Sequence, residues 1–376
     1  MEELREKLIA PMPGTQRELT RLRFGVRGAG PKVYIQAALH ADEPPGLLVA
    51  WHLRRRLAEL EREARVRGEV VLLPIANPIG HAQRLLGRPV GRFELASGEN
   101  FNRLFAQVAA QAWAQLRPQV DAGQVPDLAS ARGALREAAR MVPATTELAS
   151  LRRLLLLDAV DADVVLDLHC DNEAVMHLYT LPALWPAVAP LARLIGAELS
   201  LVADDSGGDP FDESCSLCWR QLNAAYQTHT GRAGPWHDAC VATTLELRGE
   251  RDVDEQLAVQ DAEAILRYLG ERGALDLDPG PLPPLRREPR ALAASMPIPA
   301  PHGGLLVHRP VLGQEVSAGT VLAEIIDPLS GQRTPVVTPV AGFVYARESE
   351  RIVPAGVRVA KVAGFEAVRS GPLLSA

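Results

Sequence analysis

The sequence predicts an α/β domain with a mixed, mostly parallel sheet and helices on both faces, followed by a small all-β domain. Three observations carry that prediction. Up to about residue 270, apolar runs of strand length alternate with amphipathic stretches of helical length, and such alternation packs into a sheet covered by helices. The segment Asp276 to Arg290 then holds five prolines, too many for a continuing helix or a central strand, and it reads as a semi-rigid linker. After it the pattern changes to short β segments separated by glycine and proline, which is the pattern of an all-β module.

Strands are expected over 18–27, 32–39, 69–75, 163–169, 176–180, 198–203 and 241–247, and helices over 45–65, 184–195, 211–226 and 253–270. The apolar run from Val33 to Leu39 reads as a buried strand, which Pro44-Pro45-Gly46 ends in a turn. Between Asn102 and Asp161 the chain is rich in Ala, Leu and Arg, with a Gly/Pro break around 118–126. Two or three helices are therefore expected to be inserted there, where they would shape a substrate entrance. The expected division is 1–275 for the α/β domain, 276–290 for the linker and 291–376 for the β domain.

Composition fits an intracellular enzyme. With 376 residues, 47% hydrophobic and 23% charged, the chain can bury a large core. A net charge of −6 argues against nucleic acid as a partner, since phosphate binding rests on clustered Lys and Arg. The cluster Arg54-Arg55-Arg56 shares its helix with Glu59, Glu61 and Glu63 and reads as a solvated face. No apolar run has the length of a membrane span, and Met1-Glu2-Glu3-Leu4-Arg5 lacks the features of a secretory signal. Cytoplasmic residence, no membrane partner and room for a homo-oligomer are the expectations. Cys170, Cys215, Cys218 and Cys240 follow no disulfide framework; Cys215 and Cys218 fall on an amphipathic helix and read as structural.

The chemistry begins at His40 and Glu43, separated by two residues at the exit of a strand, where α/β sheets bind ligands. Both are good zinc ligands, and a catalytic zinc takes three protein ligands while leaving one position open. Taken alone the pair also reads as a surface pair or a satisfied core group. The apolar strand Asp161 to His169 runs into a second histidine, a candidate third ligand. In Val241 to Arg248, Glu246 interrupts a β-branched and apolar strand; a carboxylate there is exposed by alternation, or else it is paired or used. Asp167 shares the strand face of His169 and reads as a hydrogen-bonding partner for a ligand imidazole. His177 reads as a core or pocket-lining group, and Asp42 as a supporting or solvent-facing one.

His40-x-x-Glu43, Asn102-Arg103 within Gly98-Glu-Asn-Phe-Asn-Arg103, His169 and the late strand Glu246 resemble, in order and approximate spacing, the zinc carboxypeptidase clan. Within it they look most like the succinylglutamate desuccinylase and aspartoacylase branch, over roughly residues 30–270. The resemblance implies one Zn²⁺ per chain held by His40, Glu43 and His169, with Glu246 as general base then acid. It implies Arg92 as a partner for the developing oxyanion, at a lengthened interval from the Asn-Arg pair. Asn102 and Arg103 would bind the α-carboxylate of an amino-acid product; the plain alternative for Arg103 is a surface salt bridge on the first turn of a following helix. Asp171 and Glu173 stand next as bases.

The implied activity is zinc-dependent hydrolysis of the amide bond of an N-acyl amino acid, a small-molecule substrate. Peptide cleavage by the same ligands and a non-catalytic binding role are the alternatives. The C-terminal module resembles biotinyl and lipoyl carrier domains of barrel-sandwich fold, in Pro310 to Leu322 and Pro339 to Val344. Ile325 to Thr334, where such domains carry their modified lysine, contains none. A wall over the active-site entrance or an oligomer contact is the role expected of it.

Overall fold

In a computed structural model of the chain, which describes residues 1–237 and 239–374, a nine-stranded sheet forms the centre. Its spatial order is Glu2–Lys7, Glu18–Gly25, Glu69–Leu73, Lys32–Ala37, Val164–Asp171, Val241–Gly249, His177–Thr180, Leu199–Val202 and Arg290–Ala291. Lys32–Ala37 runs parallel to both Glu69–Leu73 and Val164–Asp171, and the latter runs parallel to Val241–Gly249. The sheet is thus mixed and mostly parallel, with antiparallel pairing at its first edge and between Val241–Gly249 and His177–Thr180.

Helices Pro45–Arg62, Trp185–Ile195 and Glu255–Glu271 cover one face, burying Leu53, Leu57, Val188, Leu191, Ile265 and Leu269. On the other face, Phe211–Thr230 packs with Ala109–Asp121, Leu128–Arg140 and Glu147–Ala159. The insert before the His169 strand is therefore three helices. Asp127 and Thr146 cap two of them by accepting backbone N–H groups. The first strand, Glu2–Lys7, has no counterpart in the sequence reading: Glu-Glu-Leu-Arg-Glu-Lys shows no apolar alternation. It forms as a charged edge held by its neighbour, with Arg23 reaching Glu2 at 2.8 Å and Arg21 reaching Glu6 at 2.8 Å.

Residues 276–289 contain no regular element and are held in place by arginines: Arg267 donates to the carbonyls of Pro279 and Pro281, and Arg193 to those of Leu282 and Pro283. Two antiparallel sheets follow, one of Ser295–Pro299, Arg358–Ala363, Gly342–Arg347 and Glu315–Val316, the other of Arg333–Val337, Val321–Ile326, Gly304–His308 and Ile352–Val353. Ile298, Leu306, Leu322, Ile325, Val344, Val359 and Val362 form their common core. The lobes exchange strands. Glu173–Ala174 pairs with Gly342–Arg347, while Arg290–Ala291 extends the central sheet beside Leu199–Val202. Among the described residues no helix is long and apolar enough to cross a membrane.

Candidate metal centre

Three strand ends meet at the carboxyl edge of the sheet, and each supplies part of the site. The strand Lys32–Ala37 stops two residues short of the predicted end because Ala38 adopts φ +58°. That left-handed turn directs the chain across the sheet edge and carries His40 and Glu43 onto it. His169 lies within Val164–Asp171, and Glu246 is its direct neighbour on Val241–Gly249. Beyond Glu246 the register shifts, with Arg248 at φ +68°. Gly91 is required for close approach: a Cβ there would lie 2.4 Å from the Asp42 backbone nitrogen. Its carbonyl accepts from Ala41 N–H at 3.0 Å, and Asp42 Oδ2 accepts Gly91 N–H at 2.9 Å, so Asp42 serves the loop.

His40, Glu43 and His169 are all buried, and their potential ligand atoms lie within 4.8 Å of one another. Asn100 Oδ1 accepts the Asn102 backbone N–H at 2.8 Å and lies 2.8 Å from His40 Nε2. That oxygen can only accept, so His40 Nε2 carries the proton and Nδ1 turns its lone pair toward Glu43 Oε1 at 2.8 Å. Two acceptors at that distance need a proton or a cation between them. His169 Nδ1 likewise lies 2.8 Å from Glu43 Oε2, while its Nε2 is 3.0 Å from Asp167 Oδ2, an oxygen with no hydrogen-bond partner among the described residues, so that this contact is one of charge. Burial and Arg92 push His40 down; for His169 burial is outweighed by Asp167 and Glu43, which hold it well above the ordinary histidine value. Glu43 is fixed further by Cys170 N–H at 3.0 Å. Two imidazole Nδ1 atoms and one carboxylate, with His40 Nε2 hydrogen-bonded to Asn100 and His169 Nε2 beside the Asp167 charge, fit a zinc site.

The other predicted residues line the same cavity, of about 740 Å³. Arg92 Nη1 is 3.1 Å from Glu43 Oε1 and 3.3 Å from His40 Nδ1. The lengthened interval between Arg92 and Asn102 folds back on itself: Phe93 bridges Asn100, and Phe101 N–H donates to the Arg92 carbonyl at 3.1 Å. Arg103 is buried in a turn ahead of the helix Ala109–Asp121, not on that helix, and donates to the Asn102 carbonyl at 2.6 Å. Asn102 Oδ1 accepts Phe211 N–H at 2.8 Å, tying the segment to the start of the helix Phe211–Thr230. Glu246 faces the cavity, and its Oε2 is buried without a hydrogen-bond partner among the described residues. Burial and the Glu43 charge push it up to about 8.

Lys361, on Arg358–Ala363, forms an ion pair with Asp171, and Tyr345 and Arg358 join it on the cavity wall. Sequence reasoning missed all three, as it missed Asn100. Asn100 lies inside the quoted Gly98–Arg103 segment, two residues before Asn102, and that spacing was the available signal. Glu173 is paired with Arg347 at 2.6 Å and Arg351 at 2.5 Å, and His177 is a core group whose Nδ1 donates to the Val175 carbonyl. Cys170 lines the cavity, but burial raises its thiol well above the ordinary value, which disfavours the nucleophilic thiolate. Cys215 and Cys218 are buried core residues, and burial pushes Cys218 up to about 12.

A buried His-Glu-His cluster opening on one cavity at the carboxyl edge of a mixed sheet is the arrangement of a metal-site α/β enzyme. The catalytic-domain model of the succinylglutamate desuccinylase/aspartoacylase family matches residues 29–272, and the chain belongs to that family. A solved family protein from Shewanella amazonensis is 26% identical, with a TM-score of 0.82 over 96% of this chain and 98% of that one. A second, from Shewanella frigidimarina, is 26% identical with a TM-score of 0.82, over 96% and 97%. The product-bound ectoine utilization protein EutE (DoeB) from Ruegeria pomeroyi, 17% identical with a TM-score of 0.65 over 96% and 94%, shares the fold. Among curated proteins no match is found.

Proposed function

We propose that this protein hydrolyses the amide bond of an N-acyl amino acid, with zinc held by His40, Glu43 and His169. The observation that carries this reading is the unsatisfied Glu246 Oε2 in the cavity that the ligand cluster also lines. Bound zinc supplies Lewis-acid polarisation of the scissile carbonyl and acidifies water. Glu246 takes the proton of the attacking water on its carboxylate and returns it to the departing nitrogen. Arg92 directs its guanidinium at the oxyanion that develops on the carbonyl oxygen. Arg103 grips the α-carboxylate of the amino-acid portion, held in place through Asn102.

The C-terminal lobe serves as the outer wall of the site. Tyr345, Lys361 and Leu373 line the cavity, which favours compact acyl groups over the extended chain of a peptide. The test combines metal analysis of the purified protein with rates on N-acetyl, N-formyl and N-succinyl amino acids beside short peptides. About one zinc per chain and turnover of the acylated amino acids is the expected result. Peptide turnover without deacylation would replace this reading with the carboxypeptidase one.

A further inference from the structure

One face of the central sheet carries a polar ladder through an otherwise apolar core. Along Lys32–Ala37, Val33 and Ile35 pack on the side of the helix Pro45–Arg62, so Tyr34 and Gln36 point to the other side. Gln36 stands directly opposite Asp167 on the neighbouring strand, and His169 follows Asp167 on that same side. Tyr34, Gln36 and Asp167 are each at 0% exposure. A phenol, an amide and a carboxylate in the middle of two apolar strands cost stability unless they are hydrogen-bonded or used.

The hydrogen bonds run in one direction. The Tyr34 hydroxyl donates to Gln36 Oε1 at 2.8 Å, which turns the amide so that its Nε2 donates to Asp167 Oδ1 at 2.9 Å. An amide turned the other way would set its oxygen against the carboxylate, acceptor to acceptor. This is the one hydrogen bond that the Asp167 carboxylate accepts among the described residues. Thr244, opposite Asp167 on its other flank, gives its hydroxyl to Asp212. Asp167 Oδ2 is thereby left facing His169 Nε2 at 3.0 Å, while His169 Nδ1 faces Glu43. The ladder also has a fixed foot: the Tyr34 ring packs against Phe211, with centroids 5.7 Å apart, and the Phe211 N–H is held by Asn102.

We infer that Tyr34 and Gln36 are positioning residues of the metal centre. Tyr34 sets the Gln36 amide, the amide fixes the Asp167 carboxylate with one oxygen against His169, and the His169 ring is held with Nδ1 on the metal side. The inference rests on the zinc reading of the His40, Glu43 and His169 cluster. It gives a task to two buried polar side chains that touch neither the cavity nor a ligand atom.

The test measures zinc affinity by competition against a chelator, for wild type, Gln36→Met, Tyr34→Phe and Asp167→Asn, with urea unfolding of each to report folding. Gln36→Met nearly keeps the side-chain volume and removes the donor; it should weaken zinc about tenfold, and Tyr34→Phe about threefold. Gln36→Met should add nothing further to Asp167→Asn, because both act through the same contact with His169, whereas its loss should multiply with that of Asn100→Ala, which acts on His40. The visible absorption of the cobalt-loaded protein should also shift in Gln36→Met as the His169 ring turns, a signature that lost stability alone does not move. A folded Gln36→Met protein with wild-type zinc affinity and an unchanged cobalt spectrum overturns the assignment, as do losses that multiply with Asp167→Asn. If Gln36→Met does not fold, Tyr34→Phe decides, since it removes a single hydroxyl: wild-type affinity there overturns the assignment. A wild type that binds zinc no better than His40→Ala sinks the zinc reading itself, and the inference with it, before any variant of the ladder is compared.

Discussion

Lys361 of the C-terminal lobe is ion-paired with Asp171, two residues beyond the ligand candidate His169 on the same strand. Burial would raise the Asp171 carboxyl, but Lys361, His177 and Arg358 outweigh it and hold it below the usual carboxylate range. The metal cluster and the outer lobe are therefore joined electrostatically within one short stretch of strand.

Removing one partner of that pair leaves the other charge buried. Asp171→Asn should cost about 3–5 kcal/mol, and adding Lys361→Met should recover most of the loss. Because the folded value of Asp171 is depressed, its contribution is complete above the unfolded carboxylate value of about 4 and is lost as pH falls through the folded one. Urea unfolding of wild type and both variants from pH 7 to pH 3 measures this; equal acid sensitivity in wild type and the double variant would contradict it.

Glu246→Gln should keep fold and metal while turnover drops by about a hundredfold or more, since the amide cannot accept the proton. In the proposed mechanism the carboxylate is the active form, so kcat/KM should fall with decreasing pH through the Glu246 value, which burial and the Glu43 charge push up to about 8 and which a zinc ion bound beside it would lower. Residual activity in the variant should lack that acidic limb. Stopped assays across pH 5 to 9, with zinc quantified at each point, provide the comparison.

Asn100→Ala should weaken zinc binding by about 10–100-fold, because the His40 ring loses the acceptor that fixes its tautomer and orientation. Competition against a chelator measures the change. His40→Ala should abolish tight binding under the same conditions, and an Asn100→Ala protein with wild-type affinity would remove Asn100 from the supporting shell.

Ala38→Gly should stabilise the protein by about 1 kcal/mol, as a left-handed alanine carries strain of that order which glycine lacks. Chemical unfolding of the zinc-loaded proteins reads the difference. Ala38→Val should destabilise and reduce zinc affinity, since a β-branched residue resists the turn that delivers His40.

The metal candidates and the candidate base were legible in the sequence because chemistry and position coincide: His40, Glu43, His169 and Glu246 all sit where an apolar strand pattern stops or is broken. Glu246 faces the cavity and not solvent, a distinction that alternation alone left open. The mixed sheet was legible for the same reason, strand runs alternating with helical ones. Glu2–Lys7 was not, because its pairing comes from cross-strand charges. Arg358 and Lys361 also escaped reading, since one slipped residue at Val359 decides which face they occupy. Nor does local pattern report that Arg92, ten residues before Asn102, is brought back to it by the Phe93–Asn100 bridge.

The exchange of strands between the lobes has a consequence for synthesis. Arg290–Ala291 completes the edge of the central sheet, and Glu173–Ala174 must wait for Gly342–Arg347 before its backbone is paired. A chain halted in the proline-rich segment would leave both edges open, with Tyr179, Leu201 and Asp171 facing water in place of the missing wall. A nascent chain thus acquires its shielded cavity only after its closing strands have left the ribosome, and prematurely terminated products are born without one.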